Sequence, residues 1–326
     1  MALAPRTPKL GLALGSGSAR GWAHLGVLQA LTDAGIRPDV VCGSSIGALV
    51  GAAYAAGELP RFSDWVLSLG MRDVFSFMDF NLSGGMLKGE KLIDFWRRNF
   101  ADFDIEHSAM PFGAVATDLH SGAEVWLRHG SIAQAVRASI ALPGLFTPVV
   151  RDGRLLVDGG LVNPVPASLA RAMGADIVIA VDLNADLMQR HMRPLPVDLP
   201  APAPAQNPAA PLPQPAAGEV AATTPWMQRW QNGWRKKADS TAGQSPALPS
   251  PSLLDVVMTS VNIMQMRITR SRMAGDPPEL VIAPRLAHLG LLDFHRAREA
   301  MDEGYAATQA ALPGLQQFGW CAAASK

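Results

Sequence analysis

A serine held on a tight turn between a strand and a helix can act as a nucleophile. Residues Gly43-Ser44-Ser45-Ile46-Gly47 offer that arrangement. The pentad reads G-x-S-x-G. It follows a strand-like run (Val40, Val41, Cys42) and opens a helix-like run from Ala48 to Ala56. This context lifts a serine hydroxyl clear of the backbone, and side chains at Gly43 or Gly47 would crowd it. Such a hydroxyl also needs hydrogen-bond donors for the oxyanion formed on attack. The loop Gly15-Ser16-Gly17-Ser18-Ala19-Arg20-Gly21 is the candidate, because it joins a strand to a helix and its amides can converge near the positive end of the helix. Gly17, Ser18 and Ala19 are the expected donors, with Arg20 anchoring the loop or holding nearby charge.

The base that would activate Ser45 is less evident. Seven histidines are present, none with metal-ligand spacing to a partner, so neither a metal nor a cofactor is expected. A Ser–Asp–His triad could use His288 or His295. Only 44 residues precede Ser45, however, and an α/β-hydrolase places several strands ahead of its elbow. Dinucleotide binding is the competing reading of the first loop. Gly15-x-Gly17 begins that fingerprint, but the third glycine slot holds Arg20, and Asp39 precedes the second strand instead of ending it.

The elements that must position these groups alternate. Leu10 to Leu14 reads as a buried strand, Trp22 to Ala34 as a helix, Val40 to Cys42 as the next strand and Ala48 to Ala56 as the next helix. This succession predicts a parallel sheet covered by helices. Residues 61 to 110 read as mostly helical and contain Val74, Phe75, Phe77, Met78 and Phe80, either core packing or the wall of an acyl pocket. Strands are expected at Phe112–Thr117 and Ala123–Leu127, a helix at Ser131–Ala138, and a hairpin around Asp152-Gly153. Ile177–Val181 is a further strand. A helix over Leu253–Arg272, a strand over Leu280–Ala283 and a helix from Asp293 to about Ala311 follow.

Three segments together resemble the motifs of patatin-like phospholipases, most closely the bacterial members related to neuropathy target esterase. They are the loop 15–21, the elbow 43–47 and Asp158-Gly159-Gly160. Leu161-Val162-Asn163-Pro164-Val165-Pro166 also looks similar. A lone D-G-G would be an ordinary turn. The resemblance implies a catalytic dyad of Ser45 and Asp158, with Gly15, Gly21, Gly43, Gly47, Gly159 and Gly160 supporting the three motifs. It implies an α/β, three-layer fold with a mostly parallel central sheet and helices on both faces. The implied activity is that of a serine lipid acyl hydrolase (a phospholipase, lysophospholipase or carboxylesterase) working through an acyl-enzyme on a lipid or ester substrate. An acyltransferase on the same dyad and a non-catalytic lipid-binding protein are the alternatives. The family often has three consecutive glycines in the first loop, where this chain has Ser16-Gly17-Ser18.

Composition sets the outer bounds. The 28 basic and 28 acidic side chains cancel, so no global field draws in nucleic acid. Two cysteines in 326 residues argue for a reducing compartment, and the chain is expected to be cytoplasmic with peripheral contact at a membrane surface. Residues 194–252 hold 13 of the 26 prolines, which reads as a disordered insertion between a core at 8–193 and the rest of the same domain at 253–315. Within it Trp226, Trp230 and Trp234 share one helical side and lie beside Arg229, Arg235, Lys236 and Lys237. This segment, 226–237, is the expected membrane contact.

Overall fold

Alternation along the central strands decides the layering. In the computed structural model, which describes residues 7–70, 90–100, 102–187 and 253–318, β1 (Leu10–Leu14) turns Leu10, Leu12 and Leu14 into the main core, while Ala13 packs in a smaller cluster on the opposite side. The neighbouring strands repeat this split, because successive residues of a strand face opposite ways. In β7 (Ile177–Val181), Ile177, Ile179 and Val181 join the main core and Val178 the smaller one. Every residue of β1 and β7 is buried, as is usual for a parallel sheet covered on both faces.

β2 (Val40–Ser44), β3 (Phe112–Asp118) and β8 (Leu280–Ile282) complete the parallel part, in the order β3-β2-β1-β7-β8. β4 (Glu124–Leu127), β5 (Val149–Arg151) and β6 (Arg154–Asp158) are antiparallel additions. The expected hairpin is β5–β6, turning through Asp152 and Gly153 at positive φ. The strand after residue 253 pairs with β7, so the C-terminal part extends the same sheet.

The register around β3 positions the site. β2 pairs with Val41↔Phe112 through Ser44↔Val115, and β6 pairs with Asp158↔Ala116 through Leu156↔Asp118. β4 spans Ala114 to Thr117 and overlaps both. A strand has two hydrogen-bonding edges, so β4 occupies one and β2 and β6 share the other. Parallel β2 and antiparallel β6 therefore run toward each other along one edge of β3. Their C-terminal ends meet tip to tip, at Ser44 and Asp158.

Helices α1 (Ala23–Asp33), α2 (Ile46–Ala55) and α3 (Leu59–Ser68) follow β1 and β2. α4 (Glu90–Asn99) and α5 (Ile132–Ser139) come next, the latter N-capped by Ser131, whose hydroxyl accepts from the Gln134 amide at 3.2 Å. α6 (Ala167–Ala172) covers the opposite face through Leu169 and Ala170. α7 (Leu253–Gly275) and α8 (Ala297–Ala311) end the described fold. The final helix begins at Ala297, not at the Asp293 expected from sequence. Asp293 instead closes a turn, accepting from the Gly290 amide at 2.9 Å. The aromatic run expected at 74–80 and the tryptophan segment at 226–237 lie outside the described residues.

Candidate active site

Ser45 sits at the junction of β2 and α2 with φ 55° and ψ −124°, a left-handed conformation that is costly for a side-chain-bearing residue. The surrounding backbone enforces it. A Cβ on Gly47 would stand 2.2 Å from the Leu14 carbonyl oxygen, and one on Gly43 2.3 Å from the Gly47 carbonyl. Strand, turn and helix are thus in backbone contact, and only glycine fits at the two ends of the pentad. The Ser45 amide donates to the Ser139 hydroxyl at 2.9 Å, which ties the turn to the end of α5.

The tip-to-tip arrangement of β2 and β6 brings Ser45 and Asp158 together. The Ser45 hydroxyl donates to Asp158 Oδ2 at 2.5 Å. The other carboxylate oxygen, Oδ1, accepts from the Gly160 amide at 2.7 Å, which fixes the carboxylate plane. The Thr117 hydroxyl donates to the Asp158 backbone carbonyl at 2.8 Å. Asp158 has no solvent exposure. Burial penalises its ionised form and raises its pKa to about 7, although the Ser45 and Gly160 hydrogen bonds oppose the shift.

The 15–21 loop is pinned at several points. The Gly15 amide donates to the Val181 carbonyl (3.1 Å), and the Ser16 amide to the Pro164 carbonyl (2.8 Å). The Ala19 amide donates to the Leu291 carbonyl at 3.1 Å. That removes Ala19 from the three donors expected from sequence. The amides of Gly17 and Ser18 make no hydrogen bond among the described residues, and both residues line the cleft that holds Ser45. Ser18 also has positive φ (53°), a second strained position beside the first.

The two serines that replace glycine in this loop act as staples. The Ser16 hydroxyl donates to Gln265 Oε1 on α7 at 3.2 Å, and the Ser18 hydroxyl to the Leu291 carbonyl at 2.6 Å. Arg20 is buried and serves as an anchor. Its Nε donates to the Leu289 carbonyl (3.0 Å) and a terminal nitrogen to Asn184 Oδ1 (3.1 Å). Burial lowers its pKa to about 10, with nearby Asp293 opposing. Gly21 lies in the short 3-10 turn (Ser18–Trp22) that closes the loop, and Gly159 and Gly160 in the turn that follows β6.

Among the described residues no histidine lines the cleft or bonds to Ser45 or Asp158. His24 is fully buried against the Gly15 carbonyl (2.8 Å), and burial lowers its pKa to about 4, so it stays neutral. His288 pairs with Glu299 at 2.9 Å on the surface, and His295 is exposed. Neither lines the cleft, which leaves the triad reading without geometric support.

The cleft above Ser45 encloses about 1020 Å³, its open mouth included. Its walls are Trp22, Trp65, Phe294, Ile140, Leu142, Leu145 and Phe146, with Met258, Val261, Asn262 and Gln265 contributed by α7. Among the described residues no charged side chain lines it. The aromatic side is braced from behind: Trp65 stacks on Phe95 with centroids 4.8 Å apart, and Trp22 meets Phe62 edge-on at 6.0 Å. Such a wall suits an alkyl chain. Sequence reading missed Ser139, Trp65, Phe146 and the α7 residues. They come from separate segments that only the folded chain assembles.

Comparison with known proteins bears on the family and the fold. Residues 12–171 match the family model for patatin-like phospholipase. An uncharacterised NTE family protein of Mycobacterium tuberculosis is 35% identical over 334 residues, covering 95% of this chain and 93% of its own length. The chain belongs to the patatin-like phospholipase family. Patatin-like phospholipase domain-containing protein 6 of Homo sapiens is 37% identical over 184 residues, which cover 54% of this chain and 13% of that protein. The crystal structure of VipD from Legionella pneumophila superposes with a TM-score of 0.51 at 14% identity, covering 95% of this chain and 67% of VipD. At that identity the likeness speaks for the fold alone. The family is one of lipid hydrolases, and the mixed, mostly parallel sheet with helices on both faces is the patatin fold. Among the described residues no helix is long and apolar enough to cross a membrane.

Proposed function

We propose that this protein is a serine lipid acyl hydrolase in which Ser45 is the nucleophile and Asp158 the proton acceptor. The observation that carries the reading is the Ser45–Asp158 hydrogen bond at the floor of an uncharged apolar cleft. Asp158 takes the hydroxyl proton as Ser45 Oγ bonds to the ester carbonyl carbon. The amides of Gly17 and Ser18 hold the oxyanion, helped by the N-terminus of α2. As the tetrahedral species collapses, Asp158 returns the proton to the leaving alcohol, and Ser45 keeps the acyl group. Water then attacks the acyl-enzyme by the same proton route and releases a fatty acid. The acyl chain lies against the aromatic and aliphatic wall during both steps.

A carboxylate in water is a poor base for a hydroxyl. Burial narrows that gap by raising the proton affinity of Asp158. The free enzyme must hold Asp158 ionised to begin the reaction, so kcat/KM for a soluble nitrophenyl ester should rise with pH, reach half its maximum near pH 7 and level off above it. At pH 5 it should be about a hundredfold below the plateau. Fatty acid released from phosphatidylcholine, followed by mass spectrometry over the same pH range, tests the substrate class. A flat profile from pH 5 to 9 would contradict Asp158 as the base.

A further inference from the structure

α7 has two faces with different surroundings. Met258, Val261, Asn262 and Gln265 follow i, i+3, i+4, i+7 spacing and line the cleft. The opposite face is in solvent and strongly apolar. Val256 is 46% exposed, Val257 40%, Ile263 45% and Met264 50%. Four large hydrophobic side chains thus lie within nine residues of one helix, on a surface where isolated ones would be ordinary. Leu292, 41% exposed, adjoins Leu291 of the cleft lining and adds to the apolar surface.

Apart from Asp255 in its first turn, this helix carries only positive charge. From Val256 to Arg272 the sequence holds no acidic residue. Val256 to Met266 carry no charge at all, and Arg267 and Arg270 follow. Both arginines are exposed, and neither forms an ion pair among the described residues. Arg272, by contrast, is held by Glu124 at 2.7 Å. An uncharged apolar face ending in free cations matches the interfacial layer of an anionic bilayer, where side chains enter the acyl boundary and arginines meet phosphate.

We propose that the outer face of α7 is the lipid-docking surface of this enzyme, seating the cleft on an anionic phospholipid bilayer. The inference rests on the lipid hydrolase reading and adds how a water-insoluble substrate reaches Ser45. One helix forms both the cleft wall and the contact, so docking holds the cleft about one helix diameter (~10 Å) from the bilayer surface.

The test uses the full chain and two assays. Vesicles of phosphatidylcholine with about a third phosphatidylglycerol, and of phosphatidylcholine alone, are used in flotation. A soluble nitrophenyl butyrate assay reports the integrity of Ser45 and Asp158 separately. Wild type should float with the anionic vesicles and less with the neutral ones. Ile263→Glu/Met264→Glu should weaken that binding about tenfold or more and lower hydrolysis of vesicle phospholipid in parallel, with butyrate hydrolysis within about twofold of wild type. Arg267→Glu/Arg270→Glu should remove the preference for anionic vesicles. Unchanged flotation of the Ile263/Met264 variant would overturn the proposal. So would loss of flotation only on deleting residues 222–240, which would assign the contact to the tryptophan segment. A wild-type dimer in light scattering that the Ile263/Met264 variant breaks, without vesicle binding, would assign the face to self-association. Loss of butyrate hydrolysis in wild type would instead count against the hydrolase reading.

Discussion

Ser45→Ala should lower kcat for a soluble ester by about 10⁴-fold, with KM changed little. Asp158→Asn should do the same within about tenfold, and the double variant should be no worse than the poorer single one. The reasoning is that the two groups act as a unit. Without the hydroxyl there is nothing to acylate, and without the carboxylate there is nothing to take its proton. What survives either change is the cleft and the free amides of Gly17 and Ser18, which bind the ester and favour its oxyanion without a covalent step. Asparagine at 158 can still accept the Gly160 amide that now bonds Oδ1. Its failure would therefore report lost basicity, not lost placement. Steady-state kinetics on the three variants, with circular dichroism to verify folding, decides the point. An Asp158→Asn enzyme retaining more than a tenth of wild-type turnover would contradict it.

The same substitution should stabilise the protein above neutral pH. Asp158 is fully buried and titrates near pH 7 when folded, against about 3.9 in an unfolded chain. Between those values the folded state binds the extra proton. The stability contributed by protonation is therefore complete below about pH 4 and is lost as pH rises toward 7, after which the cost is constant. That cost is on the order of 4 kcal/mol, and with no solvent exposure there is little screening to reduce it. Asparagine is neutral throughout. Asp158→Asn should thus be more stable than wild type by about 2–4 kcal/mol at pH 8, with the gain vanishing near pH 4. Denaturant unfolding at the two pH values measures the difference. A gain in stability paired with a loss of activity is what a charge buried for catalysis produces.

Local chemistry made much of this protein readable in advance. The Leu10, Leu12, Leu14 alternation marked a strand, Asp152-Gly153 marked a hairpin, and the pentad marked a strand-to-helix turn at Ser45. These signals are short-range, set by side-chain period and by conformations that few residues adopt. The meeting of β2 and β6 on one edge of β3 was not readable from spacing, since it depends on register between strands more than a hundred residues apart. Asp158 was reached only through family resemblance, and the structure supplies the reason for its place.

The Ala19 donor was expected for a sound local reason, and tertiary structure overrode it. The Leu291 carbonyl, 272 positions downstream, takes that amide. Ser16 and Ser18 were readable only as a departure from the family's run of glycines. Their hydroxyls instead fasten the loop to Gln265 and Leu291, in elements that lie beyond residues 194–252. No periodicity in the first hundred residues could show those partners.

The most direct test of the account is reaction with a fluorophosphonate followed by peptide mass mapping, repeated from pH 5 to 9. A single adduct on Ser45 should form, at a rate that follows ionisation of Asp158 and is half-maximal near pH 7, and Asp158→Asn should abolish it. An adduct on any other residue, or rapid labelling of Ser45 in the Asp158→Asn variant, would contradict the claim that this one carboxylate activates this one hydroxyl.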